Sequence, residues 1–135
     1  MKETTLNGSC LCGAVKYRVT ANLKKFYFCH CEQCRKITGS SFASNILTEP
    51  TEVEWVSGED KIKRFDFPGR SFTKVFCTEC GSGLPFHNVS GTMLHIPAGS
   101  LDMDPAIRPD KNIFWGDRSP WIEEGINAPR CDGFP

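Results

Sequence analysis

Three closely spaced cysteines stand out in the segment FCHCEQCRK, residues 28–36. Cys29, Cys31 and Cys34 form a C-x-C-x-x-C pattern, and thiolate sulfur is a preferred ligand of zinc. A structural zinc site takes four protein ligands, whereas a catalytic site takes three and keeps one position open. The trio therefore predicts a zinc centre, whose chemistry depends on whether a fourth protein ligand completes it.

The other five of the eight cysteines form two close pairs and one singleton, Cys131. Cys10 and Cys12 are separated by one residue, and residues i and i+2 project from the same face of an extended segment. Cys77 and Cys80 lie in the segment CTECG, which is typical of a zinc knuckle. Two pairs supply four thiolates, so the spacing predicts that they form one closed structural zinc site.

The residues alone leave the fourth ligand of the trio open. A closed site could be completed by His30, His87, His95 or Cys131. His30 lies between two of the cysteines and would point away from them in an extended segment. His87 and His95 lie in predicted strands with apolar neighbours, which is typical of hydrogen-bonded core histidines. An open site with three protein ligands remains the other interpretation.

Composition and charge limit the function classes. The 135 residues predict one domain, residues 1–135, and 16 basic residues balance 16 acidic ones. Without a basic stripe we expect no nucleic-acid partner, and without an apolar run we expect no membrane partner. No export signal is present, so we expect a cytoplasmic protein in a reducing compartment, where close cysteine pairs bind metal rather than form disulfides.

Alternating apolar and polar residues dominate the chain and predict short strands at 14–21, 41–48, 51–57, 61–67 and 71–77. A further short strand is predicted at Asn112–Trp115, within a tail that becomes irregular after Leu101. One short helix is predicted at 32–39, where Gly39 is suited to end it. The fold class is therefore all-β, with several short antiparallel sheets that depend on metal cross-links and at most one short helix.

The cysteine motifs occur in a recognisable order with other short motifs. GSCLCGAVKYRV is followed by CHCEQCRKITGSSF, FCTECGSGLPF, AGSLD, PWIEEG and PRCDGFP. In order and spacing the chain resembles the glutathione-dependent formaldehyde-activating (GFA) family, also called the centromere protein V/GFA domain family, from Gly8 to Pro135. The resemblance implies a single GFA-type zinc-binding domain over residues 1–135 with a β-tent fold, in which zinc cross-links several short antiparallel sheets.

The resemblance also implies two zinc ions per chain, a structural one and a catalytic one with an open position. It assigns the structural ion to Cys10, Cys12, Cys77 and Cys80, and the catalytic ion to Cys29, Cys31 and Cys34. The implied activity is that of a carbon–sulfur lyase, S-(hydroxymethyl)glutathione synthase-like, which acts on glutathione or another small thiol and a small aldehyde such as formaldehyde. The family usually has an apolar residue at the position of Cys131, so we expect Cys131 to be a small packed side chain.

Five further residues near the trio are candidates for this chemistry. His30, Ser40 and Ser41 could protonate the alkoxide that forms when a thiol adds to an aldehyde. Arg35 and Lys36 could bind the carboxylates of glutathione. Each has a simpler interpretation, as a turn residue, a surface group or part of a solvated helix face.

A different class of function also fits these residues. The chain could be a non-catalytic zinc-binding interaction module, or its trio could sense metal or oxidants, because a labile three-thiolate zinc is suited to redox sensing. Binding of glutathione would favour the enzyme over the module.

Overall fold

The computed structural model describes residues 3–135. Its strands are β1 Thr4–Ser9, β2 Lys16–Ala21, β3 Leu23–Cys29, β4 Ala43–Thr48, β5 Glu54–Ser57, β6 Ile62–Asp66, β7 Thr73–Cys77, β8 Gly83–Leu84, β9 Phe86–His87, β10 Leu94–Pro97 and β11 Lys111–Ile113. Its α-helices are α1 Glu32–Thr38 and α2 Ile122–Ile126, and short 3₁₀ helices occur at Glu59–Lys61, Ala98–Ser100 and Trp115–Asp117. None of the helices in this range is long and apolar enough to cross a membrane.

The strands form three small sheets. The first has the order β1-β2-β5, the second β11-β3-β4-β10-β9 and the third β6-β7-β8. All neighbouring strands are antiparallel except β11 and β3, which run parallel. The predicted all-β class with several small antiparallel sheets is therefore confirmed.

A single hydrophobic interior lies between the sheets. On β2, Tyr17, Val19 and Ala21 are buried while the residues between them are exposed, as the alternating sequence predicts. The Tyr17 hydroxyl lies 2.6 Å from Ser100 Oγ, so its polar end is satisfied within the fold. The interior is completed by Leu6, Val15, Phe26, Ile46, Val53, Val75, Leu84, Leu94 and Ile96.

The five-stranded sheet has one face in this interior and another that carries polar groups. Phe26 pairs with Ile46, and both are buried. Their neighbours Tyr27 and Asn45 also pair, and successive residues of a strand face opposite sides of the sheet. Tyr27, Cys29 and Asn45 therefore share the outer face, which we call the site face.

Helix α1 confirms the predicted helix after the trio. Cys31 caps its start, where the Cys31 sulfur accepts a hydrogen bond from the backbone N–H of Cys34 at 3.3 Å. Gly39 follows the last helical residue in the left-handed conformation, with φ of 68°. The helix thus holds two of the three sulfurs in a fixed relation to β3.

The structure corrects three expectations. Cys10 and Cys12 lie in the turn between β1 and β2 rather than in an extended segment, because the Gly13 N–H bonds to the Cys10 carbonyl at 3.0 Å. The packing expected for Cys131 is wrong, because its side chain is exposed like every residue after Ile122. The tail expected to be irregular contains α2, which buries only Ile122.

Glycine is required where the chain approaches itself before the first 3₁₀ helix. Gly58 and Gly69 both have left-handed backbones, with φ of 75° and 77°. A side chain on Gly58 would collide with the carbonyl oxygen of Ala14, whereas nothing lies within 4 Å of the corresponding position at Gly69. We expect Gly69→Ala to lower the free energy of unfolding by about 1–2 kcal/mol.

Gly58→Ala should lower the free energy of unfolding by the same amount and by a further ~1–3 kcal/mol, because of the steric overlap with Ala14. Urea unfolding of the two zinc-loaded variants measures the difference. Equal losses would show that the close approach at Gly58 is not a constraint on the fold.

Candidate metal centres and the adjoining cavities

The first cysteine cluster joins two turns from different sheets. The Sγ atoms of Cys10, Cys12, Cys77 and Cys80 lie within 4.8 Å of one another. The Sγ atoms of Cys10 and Cys12 are 3.6 Å apart, and those of Cys12 and Cys77 are 3.9 Å apart. A tetrahedral zinc with Zn–S bonds of about 2.3 Å requires sulfurs about 3.8 Å apart. The four cysteines paired by their spacing therefore fit one zinc ion.

The backbone of both turns stabilises negative sulfur. Val15 N–H donates to Cys10 Sγ at 3.2 Å, and Glu79 N–H donates to Cys77 Sγ at 3.4 Å. The Ser82 hydroxyl, 3.2 Å from Cys80 Sγ, lowers the pKa of Cys80 to about 5. Zinc binds thiolates rather than thiols, so these contacts prepare the cluster for a cation.

The second cluster contains the sulfurs of Cys29, Cys31 and Cys34, which also lie within 4.8 Å of one another. Cys29 ends β3, Cys31 caps α1 and Cys34 is buried in the first turn of the helix. Within residues 3–135, no other histidine, cysteine or acidic side chain joins this group. Three convergent sulfurs fit a metal that keeps one position free of protein ligands.

The other candidate ligands of the trio are engaged elsewhere. His30 is buried, its Nε2 lies 2.9 Å from Asn112 Oδ1, and its ring packs between Phe42 and Trp115. His87 Nε2 lies 2.6 Å from the carbonyl oxygen of Thr51. The ring of His95 stacks on Phe86, with ring centroids 4.9 Å apart, and burial lowers the pKa of His95. His95 is therefore neutral near pH 7.

The sulfurs of the trio are electrostatically linked. A hydrogen bond from Cys34 lowers the pKa of Cys29 to about 6. The same interaction, together with burial, raises the pKa of Cys34. Near neutral pH the metal-free trio therefore already carries negative charge, which attracts a cation.

A cavity of about 520 Å³ opens beside the trio. We call it the trio cavity. Its polar lining consists of Cys29 and Cys31 together with Tyr27, Glu32, Gln33, Asn45, Arg70, Ser71, His95 and Asp117. Leu47, Ile113 and Phe114 add apolar walls. A volume of this size suits a small-molecule ligand, and two of the three sulfurs face it.

A second cavity of about 630 Å³ adjoins the first. We call it the lysine cavity, because Lys74 is its only basic lining residue within the described range. It lies between the end of α1, β4 and the β7–β8 hairpin, and Asn45 lines both cavities. The two cavities therefore adjoin at Asn45 on the site face, and we call them together the groove.

The further candidates predicted near the trio lie outside this groove. Ser40 is exposed and Ser41 is buried, and neither lines a cavity. Arg35 is half-buried, with its Nε shielded from solvent and without a hydrogen-bond partner, and Lys36 is exposed. Neither basic side chain lines the groove, so their roles in binding stay predictions.

The groove presents polar residues that the sequence interpretation did not single out. Asn45 lies two residues beyond Ala43, which pairs with Cys29, so Asn45 and Cys29 are diagonal neighbours on the site face. The side chain of Asn45 makes no hydrogen bond to any of residues 3–135. Three of the six residues in ASNILT are polar, so the sequence of this strand gives no signal that distinguishes Asn45.

Phe114 lies at the rim of the trio cavity in an unfavourable backbone conformation. Its φ is 54°, which is rare for a bulky side chain, and the ring is largely exposed. The His30 N–H bonds to the carbonyl of Ile113 at 3.0 Å, which fixes the chain just before Phe114. Backbone strain of this kind concentrates at functional sites.

This chain is similar to several known proteins. The family model described as glutathione-dependent formaldehyde-activating enzyme matches residues 5–117. A Halomonas elongata protein with the provisional name of glutathione-dependent formaldehyde-activating enzyme is 29% identical over 96% of this chain and 88% of its own length. A Schizosaccharomyces pombe protein described as an uncharacterised lyase is 31% identical over 62% of this chain and 58% of its own length.

A solved structure shares the fold. The crystal structure of a Rhodobacter sphaeroides protein superposes with a TM-score of 0.60, covering 79% of this chain and 98% of that one at 20% identity. At this identity the likeness supports the fold alone.

Exchange of single cysteines tests the separate roles of the two clusters. Cys31→Ser should yield a folded protein with one zinc, because the trio lies at the end of one strand and one helix. Cys77→Ser should unfold the chain or make it insoluble, because its cluster connects two sheets. Metal analysis combined with thermal unfolding measures both properties. If the two substitutions destabilised the protein equally, the assignment of one structural and one non-structural site would be wrong.

Proposed function

This chain belongs to the glutathione-dependent formaldehyde-activating family, and we propose that it is a zinc-dependent carbon–sulfur lyase-type enzyme. In this proposal it joins glutathione, or another small thiol, to formaldehyde or a related small aldehyde, as an S-(hydroxymethyl)glutathione synthase does. The observation that carries the proposal is the opening of Cys29 and Cys31 into the trio cavity. A purely structural centre would not need a cavity beside an incomplete set of ligands.

The trio would hold the catalytic zinc through Cys29, Cys31 and Cys34. When bound, this ion would lower the pKa of a substrate thiol in its free position, so that the thiol ionises near neutral pH. The buried Cys34 and the cap at Cys31 keep the three sulfurs in place while a ligand enters and leaves.

In the reaction the thiol sulfur forms a bond to the aldehyde carbon, and the carbon–oxygen double bond becomes a single bond. The proton lost by the sulfur ends on that oxygen, so no other reactant is consumed. Negative charge develops on the oxygen before the proton arrives. A hydrogen-bond donor fixed beside the oxygen therefore lowers the barrier.

Asn45 is the group that we assign to this donor. It is the diagonal neighbour of Cys29 on the site face, and its amide has no other hydrogen-bond partner among the described side chains. Held in a strand rather than a loop, it needs little reorganisation when charge develops. His30 is less suited, because it is buried between Phe42 and Trp115 and does not line the cavity.

The alternative function is a non-catalytic zinc module that senses oxidants or metal. It is favoured by the low pKa of Cys29, because a thiolate that is partly exposed is readily oxidised. The groove of two adjoining cavities supports the enzyme instead, because a sensor needs only access for a small oxidant.

The enzyme is tested by the rate at which glutathione and formaldehyde exchange with their adduct. Magnetisation-transfer NMR measures this exchange, and zinc-loaded protein should accelerate it above the uncatalysed rate. Cys31→Ser should remove the acceleration. If the intact protein gave no acceleration with glutathione or with a second small thiol, the proposed function would be wrong.

The role of Asn45 is tested by a matched pair of variants. Asn45→Ala should reduce the acceleration by about 100-fold or to the uncatalysed rate, because one oxyanion donor is removed. Asn127→Ala makes the same change on the exposed end of α2 and should leave the rate unchanged. An Asn45→Ala variant that keeps two zinc ions and the full rate would exclude Asn45 as the donor.

A further inference from the structure

Apart from Asn45, the residues that line the lysine cavity have no part in the bond-forming step described above, yet this cavity adjoins the trio cavity at Asn45. Its lining combines hydroxyl groups with aromatic side chains, including Thr38, Ser44, Phe42 and Phe86. A substrate that reacted only through its sulfur and a one-carbon aldehyde would not need this second volume. This cavity is therefore available to a part of the substrate that does not react.

Lys74 is directed into this space by its strand. On β7 the residues Thr73, Val75 and Cys77 are buried, and Lys74 lies between them on the opposite face. Its ammonium group rests over Gly83 of β8, where an added Cβ would lie only 2.7 Å from Lys74 Nζ. The absence of a side chain at Gly83 thus gives the ammonium group its position.

Gly83 and Pro97 lie between Lys74 and Asn45. The same added Cβ at Gly83 would lie 3.8 Å from Pro97 Cγ, and Pro97 pairs with Asn45 across β10 and β4. Gly83, Pro97 and Asn45 therefore lie side by side between the ammonium group and the trio cavity. A ligand that entered at the trio could follow this path to Lys74.

Lys74 has no carboxylate partner among residues 3–135. No carboxylate lies within 4.0 Å of its Nζ, and the ammonium group makes no hydrogen bond in this range. The acid that lines the same cavity, Asp102, instead accepts the hydroxyl of Ser9 with both carboxylate oxygens at 2.9 Å. Burial lowers the pKa of Lys74, and the interaction with Cys34 of the trio opposes this change. A half-buried cation without a carboxylate partner favours an anionic ligand.

We propose that the lysine cavity is the subsite that receives a carboxylate of the thiol substrate, and that Lys74 binds this carboxylate. The inference rests on the proposed function of the groove and narrows its substrate class to thiols that carry a carboxylate several bonds from sulfur. A neutral thiol such as 2-mercaptoethanol would reach the trio without using this subsite.

The dimensions and charges of the groove fit a short peptide thiol. A tripeptide extends over about 10 Å, which is enough to reach from one cavity into the next. The trio cavity holds a second cation, Arg70, whose Nη1 donates to the neutral Gln33 Oε1 at 3.2 Å and whose guanidinium lies over Phe67. Arg70 also has no acidic partner within the described part of the chain. Two separated cations suit a ligand with two carboxylates, such as glutathione.

The test uses S-methylglutathione, which keeps both carboxylates but cannot react through its sulfur. Calorimetric titration of zinc-loaded protein measures its affinity. Lys74→Met should weaken binding by about 10-fold, because one charged hydrogen bond is lost. Lys63→Met is the matched control: Lys63 is exposed on the adjacent strand β6 and lines neither cavity, so its replacement should leave the affinity unchanged.

A second variant changes the position of the ammonium group without changing its charge. Gly83→Ala adds a methyl group at the place where Nζ now lies, so Lys74 must move. It should weaken binding of S-methylglutathione while the zinc content stays at two. The diethyl ester of S-methylglutathione should bind equally to the native protein and to Lys74→Met, because it has no carboxylate for the subsite.

The outcomes separate this inference from the proposed function. If S-methylglutathione does not bind the native protein, or if Lys74→Met binds it as well as Lys63→Met does, the subsite is excluded. If binding depends on Lys74 but the protein does not accelerate adduct exchange, the subsite stands and the catalytic proposal fails. If Lys74→Met still accelerates adduct exchange with an unchanged KM for glutathione, the catalytic proposal stands and the subsite fails.

Discussion

The four-sulfur cluster is the contact on which the rest of this molecule depends. It connects the β1–β2 turn of one sheet to the β7–β8 turn of another, through Cys10 and Cys12 on one side and Cys77 and Cys80 on the other. Each of these two sheets is small, with three strands of at most six residues. A structural zinc contributes about 10–16 kcal/mol, which is comparable to the whole net stability of a domain. Bound metal at this cluster would therefore decide whether the sheets stay together.

The same connection shapes the groove. Strand β7 ends at Cys77 and carries Lys74 three residues earlier on its opposite face, so the sulfur cluster also fixes the strand that borders the lysine cavity. The other wall is the site face of the five-stranded sheet, where Asn45 stands between both cavities. The β7–β8 hairpin thus carries ligands of the structural metal site and also forms part of the wall of the groove. The sulfurs of the trio lie outside this hairpin, on β3 and at the start of α1.

Local patterns predicted much of this architecture. Alternation located β2 and β7, and Gly39 marked the end of α1, because these features depend only on neighbouring residues. Strand β1 was missed because TTLNGS offers a single large apolar residue, Leu6, at the edge of a sheet. Helix α2 was missed because only Ile122 of that segment is buried, which leaves no amphipathic pattern. The exposure of Cys131 could not be predicted from its neighbours, because it depends on how the C-terminal segment packs against the rest of the protein.

Cysteine spacing was enough to predict which sulfurs belong together, because C-x-C and C-x-x-C spacings confine both members of a pair to one turn. The period of the apolar residues likewise predicted the all-β class. The surroundings of the trio, in contrast, depend on tertiary contacts. Asn45 reaches Cys29 through the register of β3 and β4, and Lys74 reaches the groove through the packing of β8 against β10. These contacts join residues far apart in the chain, and no local spacing encodes the register of one strand against another.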